Sequence, residues 1–336
     1  MKIRKLGLLG LAAAAVVALA ACSSSAPSAD GAAKDGGPVK IRIQSQASIA
    51  AEPMYMGIEK GFFKDEGLDV EVVELPDLPA ATAALQAGKL ELAFVPTISA
   101  LQMARQNVPI TMITAADGIN PKAADAPLDE QRNYTSAGVY ASKGSGIADM
   151  KDLAGKKIAV PELKGQPDGT ITSVLHEQGV DTSGIEWIKL GFQPALDALK
   201  SDQIDAAFLV SPFTIQADSL GLKRVMNPSV SFFPKGSATT SWAGNSTWVK
   251  NNPETVAKFQ RAMAKAAEWA NANIDQVKQH AIDRNGLKVT PADMPQSYWP
   301  EKIDPSQLTE VDAKLVAIDF FPSPIDVNKI LAKSVA

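Results

Sequence analysis

From Val39 onward, short β-rich apolar runs alternate with stretches whose apolar residues recur at helical spacing, and that alternation predicts an α/β chain. Val39 to Gln44 is a strand and Ser45 to Ala51 a small-residue polar loop. Glu52 to Lys60 follows as a helix, with Pro53 in its first turn and Gly61 as its stop. Val70 to Leu75 is β-rich, Pro79 opens an Ala/Leu helix that Gly88 ends, and Leu90 to Val95 is a short apolar strand. The spacing then predicts a helix over Leu101 to Gln106, a strand over Ile110 to Ala115, and a surface loop over Gly118 to Asn133.

Part of this pattern returns. Ala81 to Val95 reads ATAALQAGKLELAFV and Ala195 to Leu209 reads ALDALKSDQIDAAFL, so Leu85/Leu199, Glu91/Asp205 and Phe94/Phe208 share one offset, 114, with no gap. Each copy reads as strand, helix, strand, a βαβ unit of a parallel sheet. Two copies imply two lobes. Ligands of open α/β sheets bind outside the carboxyl ends of the strands, which directs attention to Pro96 to Ser99 and Ser211 to Thr214.

Between the copies, Gly138 to Ser142 is the strand that carries the chain into the second lobe. Asp149 to Val160 is a short helix, a Gly turn and a strand, and its Gly-Lys-Lys does not meet the phosphate-loop pattern, because position 150 is Met and Lys157 follows Lys156. Pro161 to Gly169 is a Gly/Pro loop before a helix from Thr170 to Gln178. Thr239 to Lys250 is a return strand, and Asn252-Pro253 starts a helix whose Val256, Phe259, Met263, Ala266 and Ala267 form a core face. Further helices are expected over Asp275 to Arg284, Pro305 to Phe320 and Asp326 to Val335. The implied arrangement is lobe 1 from residues 39–137 and 238–336 and lobe 2 from 138–237, joined by a two-crossing hinge.

The start of the chain has a different character. Lys2, Arg4 and Lys5 precede an apolar run that ends Leu19-Ala20-Ala21-Cys22, the layout of a secretory signal over residues 1–21, too short to span a membrane. The only cysteine stands directly after it. A plain signal cut after Ala21 is one reading. The other is a bacterial lipobox, with Cys22 carrying a lipid and residues 22–38 forming a flexible tether. Losing residues 1–21 removes three positive charges and no negative ones from 33 Lys+Arg and 37 Asp+Glu, leaving a net of −7, which argues against nucleic acid as a partner. A lone cysteine leaves no disulfide and no Cys-based metal site, and no cofactor or metal is expected.

Pro53 to Phe63, Gly67 to Val70, Asp152 to Val160 and Ala195 to Pro212, in this order behind a lipobox, resemble the ABC-transporter binding proteins for sulfonates, nitrate and thiamine-pyrimidine precursors (NMT1/THI5-like) over about Val39 to Ile282. The resemblance implies a type II periplasmic-binding-protein fold that closes on a small solute and delivers it to a membrane permease, as a monomer held outside the cytoplasmic membrane or in a periplasm. The Cys-rich iron motif of the eukaryotic pyrimidine-synthesising relatives does not occur. Some relatives on this fold are enzymes, but His176 and His280, the only histidines, fall on helices among polar neighbours and read as solvated, and neither a His-Glu-x-x-His nor a Gly-x-Ser-x-Gly pattern is present. A structural adhesin would account for the leader but not for the duplicated unit.

The candidate ligand contacts are Gln46 and Ser48 on the first loop, Thr97 and Ser99 on the second, Asp168 and Thr170 on the second-lobe loop, Ser211 and Phe213 after the second copy, Trp242 and Asn245 on the return strand, and Tyr55. Several have structural rivals. Ser99 with Gln102 fits a capping box, Ser211 fits an N-cap, Asp168 can cap its helix, and Phe213 suits lobe core. No arginine falls on these loops, Lys164 being the nearby cation, so a bidentate clamp for a carboxylate or phosphate is missing. The expected solute is small and polar or weakly anionic, an alkanesulfonate or a pyrimidine-type precursor.

Overall fold

The computed structural model describes residues 37–45, 48–75 and 77–334, and within them the alternation becomes two five-stranded sheets. The leader, Cys22, most of the tether and Gln46 lie outside the described residues. The chain begins with β1 (Val39–Ser45), α1 (Glu52–Glu59), α2 (Phe62–Asp65), β2 (Leu68–Glu74), α3 (Leu78–Gln86), β3 (Leu92–Pro96), α4 (Thr97–Arg105) and β4 (Ile110–Gly118). It crosses through α5 (Leu128–Gln131) to β5 (Ala137–Ala141), β6 (Lys157–Val160), α6 (Gln166–Glu177), β7 (Glu186–Lys189), α7 (Phe192–Lys200), β8 (Ala206–Val210), α8 (Phe213–Ser219) and β9 (Lys223–Met226). A second crossing through α9 (Pro228–Phe232) leads to β10 (Ala238–Asn245), α10 (Ser246–Asn251), α11 (Pro253–Ala272), α12 (Ile274–Asn285) and α13 (Pro305–Ala317).

The sheet orders are β2-β1-β3-β10-β4 and β7-β6-β8-β5-β9. Both sheets are mixed. Three neighbouring strands run parallel, and the fourth in each order, β10 or β5, is antiparallel to both its neighbours. Each sheet thus takes its reversed strand from a crossing.

The repeat seen in the sequence is a repeat in space. α3 and α7 share the offset of 114 at both ends, as do β3 and β8, and Leu85 and Leu199 are both buried. Even a polar detail recurs: the Glu91 carboxylate accepts the Arg42 N–H at 2.7 Å and the Asp205 carboxylate accepts the Lys157 N–H at 2.8 Å, each tying the start of its strand to the neighbouring one. Period-two burial splits the strands between faces. Leu92, Phe94 and Trp242 pack with Phe259 and Met263 of α11, while Ala93 and Val95 turn to the opposite cluster.

Several local readings change: α4 begins at Thr97 rather than Leu101, and Leu128–Gln131 is a helix within the expected surface loop. Pro167 belongs to the first turn of α6, so that helix begins at Gln166 rather than Thr170. The return strand stops at Asn245, whose side chain accepts from Thr247 and Trp248 and starts α10. Ser99 lies inside α4, two residues past Thr97, so it forms no capping box with Gln102. The helix expected from Asp326 is a single 3-10 turn at Val327–Ile330, after which Leu331 bridges to Met112 and Ala332 donates to the Met112 carbonyl at 2.8 Å, covering part of the edge of β4.

The two crossings pair with each other: Ile119 donates to Ser237 O at 3.0 Å and Gly236 to Ile119 O at 3.1 Å. Gly118 permits this approach, since a Cβ there would lie 2.6 Å from the Ser237 carbonyl and 2.4 Å from Pro300. A third link is α13. Its Asp312 pairs with Arg105 of α4, and Leu315 and Phe320 lie over Gly169 of α6, so one buried cluster runs from Leu85 and Leu101 through Leu308 and Leu315 to Ile171 and Val174.

Candidate functional site

In the first sheet β1, β3 and β4 end, and the reversed β10 begins, on one edge; in the second, β6, β8 and β9 end, and β5 begins, on the corresponding edge. These carboxyl edges meet at α4 and α6. The Ile98 N–H, in the first turn of α4, donates to Gln166 Oε1 at 3.4 Å, and the Ser99 hydroxyl donates to Glu162 Oε1 at 3.2 Å. Both bonds pass from the first lobe to the second. The Thr97 hydroxyl donates to Ala238 O at 3.0 Å, fixing the start of α4 against the incoming β10.

The second-lobe side is held by Asp168. Its carboxylate accepts the N–H groups of Lys164, Gly165 and Gly169, at 2.6, 2.8 and 3.1 Å. Burial pushes its pKa up to about 6, even though each of those donors pulls it down. Asp168 therefore caps α6 and fixes the loop carrying Glu162. The Thr170 hydroxyl bonds back to Gln166 O and Pro167 O inside its own helix.

Along both carboxyl edges stand buried polar groups with no hydrogen-bond partner among the described residues: the hydroxyls of Ser45, Ser211 and Ser237, and both ends of the Asn227 amide. Buried polar groups are ordinarily satisfied, so these are candidates for meeting a solute. Ser211 also precedes a cis proline, and its N–H donates to Ser136 O at 2.7 Å. At the end of β4, Asp117 accepts the Thr239 hydroxyl at 3.0 Å, and burial pushes it up to about 7.

The structure thus brings together Thr97, Ser99 and Asp168 at the junction, with Ser211 on the same edge of the second sheet, while Thr170 is buried in α6 and spends its hydroxyl inside that helix. Trp242, Asn245 and Tyr55 it places elsewhere, Gln46 lies outside the described residues, and Ser48 and Phe213 stay on the segments that follow β1 and β8 with contacts of their own. Ser48 caps the turn Ile49–Ala51 by accepting from Ala50. Trp242 is fully buried, edge-on to Phe94 and Phe259, in the core on the α11 face. Asn245 ends β10, which is antiparallel to β3, so it sits roughly 17 Å from Thr240, the register partner of Pro96, at 3.4 Å per residue. Its amide caps α10 and donates to Gln86. Phe213 stacks on Phe192 at 5.8 Å against the α7 core. Tyr55 lies under the Arg284 guanidinium, 3.7 Å from its ring centre, in a groove with Glu59, Val70, Val72 and His280.

His280 corrects the solvated reading. It bridges Glu52, which is fully buried, at 2.5 Å and Glu59 at 2.8 Å, while Arg284 holds the other Glu52 oxygen at 2.9 Å through Nε. Burial lowers its pKa, but the hydrogen bonds and charges of the two carboxylates outweigh that and leave it raised.

Sequence reasoning did not single out Glu162, Gln166 or Asn227. The available signal for the first two was the loop Pro161 to Gly169 at a strand end; for Asn227 it was the Asn-Pro that starts α9 after β9.

Two duplicated α/β lobes with facing carboxyl edges and a paired double crossing constitute the periplasmic-binding-protein fold. Solved structures agree: the alkanesulfonate-binding protein SsuA from Xanthomonas axonopodis pv. citri bound to MOPS superimposes with a TM-score of 0.68 at 16% identity, covering 88% of this chain and 99% of that one. The periplasmic nitrate-binding protein NrtA from Synechocystis PCC 6803 gives 0.67 at 16%, covering 88% and 86%. The chain belongs to the NMT1/THI5 like family, whose model matches residues 49–276. A relative named "Putative aliphatic sulfonates-binding protein" from Bacillus subtilis (strain 168) is 28% identical over 74% of this chain and 70% of its own. The 4-amino-5-hydroxymethyl-2-methylpyrimidine phosphate synthase of Aspergillus parasiticus is 24% identical over 71% and 68%.

Proposed function

We propose that this chain is an extracytoplasmic solute-binding lipoprotein of an ABC importer, which captures a small polar or weakly anionic solute between its lobes and hands it to a permease. An alkanesulfonate and a pyrimidine-type thiamine precursor are the two solute classes its relatives suggest. The observation that carries the reading is the junction of the two carboxyl edges, where Ile98 and Ser99 of one lobe reach Gln166 and Glu162 of the other. Groups that bond directly to each other across a cleft can bond through a solute instead. Lobes 39–137 with 238–336 and 138–237 then move about the paired crossings, and the acyl group on Cys22 with the tether 22–38 keeps the monomer at the membrane.

The test is binding without turnover. A cognate solute at about 100 times its Kd should stabilise the folded state by about 2.7 kcal/mol. It should be recovered chemically unchanged, and scattering should show a smaller radius of gyration with it bound. A converted solute would instead favour an enzyme, the alternative that the synthase relative motivates.

The anchor has a separate test. Cys22→Ala should move the protein from the membrane fraction to the soluble one. An intact mass without acyl groups, or a mature chain starting elsewhere than Cys22, would refute the lipoprotein reading.

A further inference from the structure

We infer that Glu162 is a selectivity residue that turns anionic solutes away from the cleft and favours one presenting an amine or amidine N–H at that point. The inference rests on the binding-protein reading above.

The first turn of a helix offers free N–H groups and a partial positive charge, which makes it a ready anion site. At α4 that position is already occupied by the protein's own acceptors. Gln166 Oε1 takes the Ile98 N–H, and Glu162 Oε1 takes the Ser99 hydroxyl beside it. A sulfonate or nitrate seeking the same donors has to displace Glu162 and then remain next to its charge, and like charges a few ångströms apart disfavour each other.

Glu162 is placed there by the loop's construction. A Cβ on Gly165 would stand 2.4 Å from both Cγ and Oε1 of Glu162, so the carboxylate occupies space that only a glycine leaves open. Asp168 pins the same loop through the Lys164 and Gly165 N–H groups. Compensating cations are few. Arg105, in the last turn of α4, is committed to Asp312, and Lys164, which lines the same groove, is exposed.

The remaining polar groups suit a neutral or cationic polar molecule. From β6 the edge runs past Ser211 to Asn227 after β9, three strand spacings or about 14 Å away, and Asn227 offers both a donor and an acceptor. Within that span Glu162 is an acceptor for which an N–H group is the complementary partner.

Calorimetry on the full chain tests this with ethanesulfonate and a hydroxymethyl 4-aminopyrimidine as probes, alongside native mass spectrometry of whatever small molecule the purified protein retains. The wild type should bind the aminopyrimidine at least tenfold more tightly than ethanesulfonate. Glu162→Gln should narrow or reverse that ratio by tenfold or more, and Gly165→Ala, which forces the carboxylate out of its place without removing it, should act in the same direction.

Wild-type binding of ethanesulfonate at least as tight as of the aminopyrimidine, a retained anion, or a ratio unmoved in both variants would overturn the role of Glu162 and leave the binding-protein reading standing. No binding of either probe together with no retained molecule would defeat that reading, and this inference with it.

Discussion

Replacing Arg105 with leucine should lower the stability of the folded chain by about 3–5 kcal/mol, because it strands a carboxylate in the interior. Asp312 is 2% exposed at its side chain and Arg105 8%, so neither has water to fall back on. The guanidinium also donates to Leu101 O at 3.1 Å and Ser323 O at 3.0 Å and lies 3.8 Å from the centre of the Phe321 ring. The second Asp312 oxygen takes the Ile325 N–H at 3.1 Å. Loss of the arginine therefore leaves the buried Asp312 carboxyl with the Ile325 N–H as its donor, at the seam where α13 meets α4. Urea denaturation of Arg105→Leu, Asp312→Leu and the double variant checks this. The double variant should recover much of the loss, since an apolar pair need not be desolvated against charge. Single variants within 1 kcal/mol of the wild type would mean the pair is solvated and the seam loose.

Asp117→Asn should stabilise the protein above pH 7, with a ceiling of about 4 kcal/mol at 1.36 kcal/mol per pKa unit. The sign follows from the raised folded value, about 7 against the ordinary 3.8. Between pH 4 and 7 the folded chain keeps a proton that the unfolded chain has released, so stability falls as pH rises and the contribution is gone above 7. Asp168, raised to about 6, acts with the same sign over a narrower window. His280 is raised above 6.5, so its contribution is complete below 6.5 and disappears as pH climbs through its folded value. All three make the wild type weaker in mild alkali than at pH 5. The asparagine still offers an oxygen to the Thr239 hydroxyl, so its stability curve from pH 4 to 8 should be flatter. Curves that run parallel would show that Asp117 is ionised throughout.

The repeat was legible in the sequence because it rests on spacing: a helix and the strand after it must keep their lengths to pack alike, and Leu85/Leu199 with Phe94/Phe208 record that constraint. Strand ends were legible for the same reason, and they led to Thr97, Ser99, Asp168 and Ser211. Which way a side chain points was not. Trp242 and Asn245 have suitable chemistry on the right strand, but burial on the α11 face and the reversed direction of β10 carry them away from the carboxyl edge, and direction depends on pairing partners more than 100 residues distant. Glu162 was missed because its position depends on the missing Cβ of Gly165 and on a hydroxyl 63 residues away. His280 read as solvated because its carboxylate partners, on α1, are more than 200 residues earlier in the chain.

The sheet orders also set the sequence of events in folding. Every strand of the second sheet lies between Ala137 and Met226, so that sheet can assemble as soon as its own stretch of chain is available. The first sheet cannot. β3 and β4 are separated by β10, which pairs Trp242 with Phe94 on one side and with Thr114 on the other, so the edges of β3 and β4 stay open until residues 238–245 arrive. Contacts of such sequence separation are slow to form, and open strand edges invite wrong partners while they wait. On this topology the second sheet can close on its own stretch of chain, whereas β3 and β4, although made earlier, keep an open edge each until residues 238–245 are delivered.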